Sequence, residues 1–101
     1  MKFGIFGGAR SVPGVEDGYR EGYDAYIDSV VEAEELGFYS SFLVEHHFSG
    51  MGQVSASLNL LSFLAAKTST IRLGTAVVVL PWHNPVLVAE QAAKLDLLSK
   101  G

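Results

Sequence analysis

The chain has 101 residues, of which 49% are hydrophobic and 18% charged, and its formal net charge is −4. This composition excludes intrinsic disorder, and the absence of cysteine excludes disulfides and thiolate zinc sites. The acidic balance argues against a nucleic-acid partner. The sequence contains no uninterrupted apolar run of about 18 residues, so it predicts no membrane span. Its first residues do not have the pattern of a signal peptide. We therefore expect a cytoplasmic protein.

Strands and helices alternate in the hydrophobic pattern. The pattern predicts strands over 2–7, 38–45 and 71–80, and helices over 23–36, 55–68 and 86–99. Residues 9–22 are expected to form a loop because Pro13, Gly14 and Gly18 interrupt any regular element. The apolar run over 76–80 is typical of a strand that is covered on both faces. Asn84 and Pro85 form an N-cap and first-turn proline for the third helix.

The order β-α-β-α-β-α favours parallel strands joined by right-handed crossovers. Two architectures fit this order: a small doubly wound sheet, or the first three βα units of a (β/α)8 barrel. A complete barrel of that kind takes about 250 residues. In either architecture, functional groups gather at the carboxyl ends of the strands.

All three histidines lie where a predicted strand meets the next helix. Glu45, His46 and His47 follow the second strand, and His83 follows the third. A histidine there can exchange a proton near neutral pH. The alternatives are a buried Glu–His pair that only braces the loop, and, with less support from the spacing, a metal site. Trp82 either lines a site for a ring-shaped ligand or closes the end of the barrel.

Several motifs occur together in a fixed order along the chain. They are Glu-His-His-Phe-Ser at 45–49, Ile-Arg-Leu-Gly-Thr-Ala-Val at 71–77, Leu-Pro at 80–81, Asn-Pro-Val at 84–86, Ala-Glu at 89–90 and Leu-Asp-Leu-Leu-Ser-Lys-Gly at 95–101. With these motifs the chain resembles the N-terminal part of the bacterial luciferase-like monooxygenase family. The resemblance covers the whole chain, and it is specific for the family rather than for one member.

The resemblance implies an α/β fold, a TIM-type barrel with parallel strands. It also implies a non-covalently bound reduced flavin, FMN or in some branches F420. Such an enzyme uses reduced flavin and O2 to oxidise a small organic substrate such as an aldehyde or alkane. A separate reductase supplies the flavin. The second and third helices are expected to form the interface of a homo- or heterodimer, and no nucleic acid, membrane or metal is expected to take part.

The resemblance also assigns roles to particular residues. His46 falls on the position of the catalytic base, and Glu45 is expected to orient or polarise it. Ala76 and Val77 fall where this family places a non-prolyl cis peptide against the flavin ring, which predicts a cis bond between them. Phe6 and His47 are expected to line the mouth of the same pocket.

The resemblance further implies that residues 1–101 form β1-α1-β2-α2-β3-α3 of one larger barrel domain. The remaining strands and the phosphate-binding residues are then expected beyond Gly101. Two other interpretations remain open at this point. One is a non-catalytic flavin-binding or assembly partner with the same fold, and the other is a truncated fragment without function.

Overall fold

A computed structural model describes residues 1–50, 52 and 54–101. In this part of the chain the elements are β1 (Gly4–Gly7), α1 (Gly18–Glu35), β2 (Ser40–Leu43), α2 (Ser57–Ala65), β3 (Arg72–Thr75), a 3₁₀ turn (Leu80–Trp82) and α3 (Pro85–Ser99). The strands form one parallel sheet in the order β1-β2-β3, as the alternating pattern predicts. Positions 51 and 53, between the predicted second strand and second helix, lie outside the described residues. None of the described helices is long and apolar enough to cross a membrane.

Helix α1 begins five residues earlier than predicted. Its first turn is capped by Asp17, whose Oδ1 accepts a hydrogen bond from the backbone N–H of Arg20 at 3.3 Å. The expectation of a loop through Gly18 is wrong because this glycine serves close packing rather than a turn. A Cβ at Gly18 would collide with the carbonyl oxygen of Val12. A small residue at the start of the helix therefore lets the preceding loop fold back against it.

The core lies between the sheet and helices α1 and α2. Val30 and Ala33 of α1 are buried together with Leu43 of β2 and with Leu61 and Leu64 of α2. Since successive strand residues face opposite sides of the sheet, Leu43 points toward the helices while its neighbour does not.

Phe42 is consequently 45% exposed on the other face of the sheet. Its register partner on β1 is Phe6, which is 70% exposed. Gly74 of β3 lies opposite Phe42, and a Cβ there would come within 2.7 Å of the phenyl ring. The sheet therefore presents two aromatic rings on the face away from α1 and α2.

Strand β3 is shorter than predicted, because it ends at Thr75 instead of continuing to residue 80. Its partner β2 ends at Leu43, whose carbonyl accepts a bond from the Ala76 N–H at 2.8 Å. The peptide bond between Ala76 and Val77 is cis, as predicted. The apolar run then leaves the sheet and enters the 3₁₀ turn, after which the Asn84 side chain caps α3 through the Val86 N–H at 2.9 Å.

A single carboxylate joins α1 to the start of β3. Oε1 of Glu34 accepts hydrogen bonds from the backbone N–H groups of Ser69, Thr70 and Ile71 at 2.8, 2.6 and 2.9 Å, and from the Thr70 hydroxyl at 3.1 Å. Partial burial raises the pKa of Glu34, but the bonds from Thr70, Ile71 and Ser69 outweigh it and lower the pKa from 4.5 to about 2. The carboxylate therefore serves the turn before β3 as an anionic cap.

Replacing Glu34 with glutamine is expected to lower the free energy of unfolding by about 1–2 kcal/mol near neutral pH, after a discount for solvent screening. Because the pKa is lower in the folded state, this stabilisation is complete above pH 4.5 and is lost as the pH falls toward about 2. Urea unfolding across this range should give a shallower pH dependence for Glu34→Gln than for the wild type. Exposed Glu32 provides the control: Glu32→Gln should keep the wild-type profile, and equal profiles for all three proteins would contradict the assignment.

Candidate active site at the carboxyl ends of the strands

Two loops meet at the carboxyl edge of the sheet. The first follows β2 and carries Glu45, His46 and His47, and the second follows β3 and carries Trp82 and His83. Because β2 and β3 are parallel neighbours, their carboxyl ends lie side by side. Groups that are more than 30 positions apart in the chain are thereby brought into contact.

Glu45 is the centre of this contact, and its side chain has no exposed surface. Oε1 accepts hydrogen bonds from Nε2 of His47 and from Nε2 of His83, both at 2.6 Å. Oε2 accepts a bond from the backbone N–H of Val79 at 3.0 Å. Burial raises the pKa of Glu45, but the bonds from His47, His83 and Val79 outweigh it and hold the pKa below the usual 4.5. The group is therefore an ionised acceptor that ties the two loops together.

The ring of His47 is held on a second side by Trp82. The two rings are stacked, with centroids 5.3 Å apart and an interplanar angle of 14°. Phe48 lies beside both rings, with centroid distances of 6.4 Å to His47 and 6.5 Å to Trp82. Trp82 and Phe48 remain 64% and 96% exposed. Trp82 thus forms an open aromatic wall at this edge of the sheet.

His46 lies next to this network but outside it. Its backbone N–H donates to the carbonyl of Val54 at 2.7 Å, and its side chain is exposed. The ring packs so closely on Gly52 that a Cβ at that position would collide with Nδ1. The expectation that Glu45 orients His46 is not met: the carboxylate bonds to His47 and His83 instead. Glu45 and His47 are two positions apart and their side chains meet, whereas the side chain of His46 between them does not join this contact.

The residues expected to contact a cofactor lie along the same edge. Phe6 is 70% exposed near the end of β1, and Val77 is 63% exposed just after β3, while Ala76 is partly buried. Strands β1 and β3 flank β2, so these side chains are separated by two strand spacings, about 10 Å. The structure brings Phe6, His47 and Val77 to one edge of the sheet.

The same network offers a set of potential metal ligands. The carboxylate of Glu45 and the imidazole nitrogens of His47 and His83 all lie within 4.8 Å of one another. A carboxylate and two imidazoles suit a divalent transition metal such as zinc or iron. An ionised Glu45, however, only accepts hydrogen bonds, so it requires a hydrogen on each of the two nitrogens 2.6 Å away. A metal ion would have to displace these two hydrogens.

His83 and the Val79 N–H are the site groups that the sequence analysis did not assign. The signal for His83 was present, because all three histidines fall at strand ends that a parallel sheet brings together. No residue pattern could have shown that the backbone N–H of Val79 bonds to Glu45, because this N–H is free to do so only where β3 ends at Thr75.

With this geometry established, the chain can be placed among known proteins. The family described as luciferase-like monooxygenase matches residues 1–101, and the chain belongs to this family. It is 39% identical over 80 residues to the alkanal monooxygenase beta chain of Photobacterium leiognathi, covering 77% of this chain and 25% of that protein. It is 37% identical over 83 residues to a luciferase-like monooxygenase of Escherichia coli K12, covering 81% and 24%. The chain thus spans about a quarter of the length of these relatives.

Solved structures show the same architecture. The monooxygenase RslO1 from Streptomyces bottropensis superposes with a TM-score of 0.86 at 32% identity, covering 100% of this chain and 31% of that one. The oxygenating constituent of 3,6-diketocamphane monooxygenase from Pseudomonas putida, in complex with FMN, gives a TM-score of 0.88 at 24% identity, covering 100% and 27%. At 24% identity, the similarity to the second structure shows a shared fold alone. The described part of the chain therefore has the fold of the first three βα units of luciferase-like monooxygenases.

Proposed function

We propose that this chain forms the N-terminal part of a flavin-dependent monooxygenase. In the proposed reaction, reduced flavin supplies two electrons, one atom of O2 enters a small organic substrate such as an aldehyde or alkane, and the other leaves as water. One observation carries the proposal: an exposed histidine, His46, lies at the same strand-end edge as an apolar surface and a buried Glu–His network. This combines a proton acceptor with a surface for a flat ring.

The apolar surface supports a flavin as the cofactor. Phe6 and Val77 expose apolar groups across about 10 Å, which suits the flat face of an isoalloxazine ring. A neighbour with the same fold was solved in complex with FMN. We therefore favour reduced FMN over F420 as the bound form. The residues that hold its phosphate are expected in the rest of the barrel, beyond residue 101.

Within this proposal each group of the chain has a separate task. His46 accepts or returns a proton at the exposed edge, since a neutral imidazole can do either near neutral pH. Glu45 holds the two loops at a fixed distance through His47, His83 and Val79. Phe6 and Val77 contact the ring and exclude water from it, and the flavin, when bound, supplies the redox chemistry.

The test uses the full protein that contains this chain. Anaerobic titration with reduced FMN is expected to show saturable binding, with oxidised FMN and reduced F420 as comparison ligands. A series of aldehydes and alkanes is then supplied with isotopically labelled O2, and the product is expected to carry one labelled atom per flavin oxidised. Absence of reduced-FMN binding would contradict the choice of cofactor, and flavin oxidation without label in any organic product would contradict the monooxygenase.

A dimer is the assembly that we propose for the full protein. The stretch over 46–66 contains no Asp, Glu, Lys or Arg side chain, and Phe63 of α2 is 49% exposed. Surfaces of this kind are typical of interfaces. Light scattering of the full protein is expected to give twice the monomer mass, and the monomer mass would rule the dimer out. A separate reductase as the source of reduced flavin belongs to the same proposal.

A further inference from the structure

The Glu45 carboxylate determines which nitrogen of each bonded histidine carries the proton. An ionised carboxylate only accepts hydrogen bonds, so the 2.6 Å contacts require a hydrogen on Nε2 of His47 and on Nε2 of His83. These contacts are shorter than ordinary N–H···O bonds. In a neutral ring with its hydrogen on Nε2, the lone pair that accepts a proton lies on Nδ1.

Two contacts of the His47 ring depend on the loop between β3 and α3. The hydrogen bond to Glu45 does so because that loop holds the same carboxylate through Val79 and His83, and the stacking at 5.3 Å does so because Trp82 belongs to the loop. The turn that carries Trp82 is attached to Glu45 on both sides, by the Val79 N–H before it and by His83 after it. Loss of His83 would therefore loosen the carboxylate and the tryptophan together.

We propose that His83 is a positioning residue. Through Glu45 and the turn that carries Trp82, it keeps His47 in one tautomer, with hydrogen on Nε2 and the proton-accepting lone pair on Nδ1. Within the described residues, no hydrogen bond to Nδ1 of His47 is formed. His47 is then a second proton acceptor beside His46. A role of His47 in catalysis rests on the function proposed above, whereas the inference about the tautomer of His47 does not rest on it.

The tautomer can be measured directly in the full protein. In NMR spectra of protein with nitrogen-15 in its histidine rings, two-bond correlations between ring protons and ring nitrogens distinguish a protonated from an unprotonated nitrogen. At mildly alkaline pH we expect His47 to show a protonated Nε2 and an unprotonated Nδ1, with the signals assigned through His47→Ala. A protonated Nδ1 in the wild type would overturn the proposal.

Two substitutions separate positioning from simple packing. His83→Gln keeps an amide N–H that can reach Glu45, so the His47 pattern should stay as in the wild type. His83→Leu removes the donor and should give exchange-averaged shifts for both nitrogens of His47. An unchanged pattern in His83→Leu would overturn the proposal. If that variant does not fold, His83→Phe, which keeps a ring at this position and removes the donor to Glu45, serves instead and should show the same averaging.

Two further measurements test for a metal site and for flavin binding. Titration with Zn²⁺ should leave the wild-type His47 signals unchanged, and stoichiometric loss of the Nε2 hydrogens would overturn the proposal in favour of a metal site. Reduced-FMN binding is measured on the same samples. A protein with the expected tautomer and no flavin binding would contradict the proposed function alone, whereas flavin binding with the wrong tautomer would contradict the positioning role alone.

Discussion

Replacing Glu45 with glutamine is expected to lower the free energy of unfolding of the full protein by about 2–3 kcal/mol. The carboxylate is fully buried and accepts three hydrogen bonds, two on Oε1 and one on Oε2. Glutamine has one acceptor oxygen, so its amide N–H₂ must face either the Val79 N–H or the two imidazoles. Either the Val79 N–H loses its acceptor, or both imidazoles must move their hydrogen from Nε2 to Nδ1, and the remaining bonds lose the negative charge that strengthens them.

The measurement is urea unfolding of wild type and variant near neutral pH. Glu35→Gln is the matched control, because Glu35 is an exposed glutamate at the end of α1, and its effect should stay within about 0.5 kcal/mol. Glu45→Leu removes all three acceptor contacts and should cost more, about 3–5 kcal/mol. Equal midpoints for Glu45→Gln and Glu35→Gln would show that the loops are held together by something other than this carboxylate.

The order of strands and helices could be predicted because it depends only on the period of the hydrophobic pattern and on the length of each segment. The apolar stripe of α1, with Val30 and Ala33 facing the core, follows from the helical repeat. The ends of β3 and α1 could not be predicted in the same way. Val78 and Val79 look like strand residues, yet they leave the sheet because β2 stops at Leu43 and Glu45 takes the Val79 N–H. Tertiary hydrogen bonding decided that boundary.

The candidate site shows a similar division. That His46, His47 and His83 share one edge could be inferred, since parallel strands bring their carboxyl ends together. The partner of Glu45 was not inferred, although Glu45 and His47 are two positions apart and the repeat of extended backbone places such residues on one side. The resemblance to a family points to His46, whereas the contacts select His47 and His83 as the buried partners. The proposed proton acceptor His46 thus lies beside a buried network of Glu45, His47 and His83.

Replacing His46 with alanine is expected to lower the rate of coupled substrate oxidation by the full protein by about 100-fold or more, the usual contribution of a positioned acid or base. Binding of reduced FMN should change little, because the imidazole is exposed and lies outside the Glu45 network. Flavin oxidation without product formation should rise correspondingly. The measurement is the ratio of organic product to flavin oxidised in a single turnover.

Three comparisons decide whether His46 acts through its proton. Added imidazole should restore part of the activity of His46→Ala, since it replaces the missing acceptor without restoring any packing. Gly52→Ala keeps the histidine but forces its ring to move, because the new Cβ would collide with Nδ1, so it should lower coupling by a smaller factor. Glu35→Gln should match the wild type. Wild-type coupling in His46→Ala would exclude the role, and loss of coupling that imidazole does not restore would assign His46 to the shape of the loop instead.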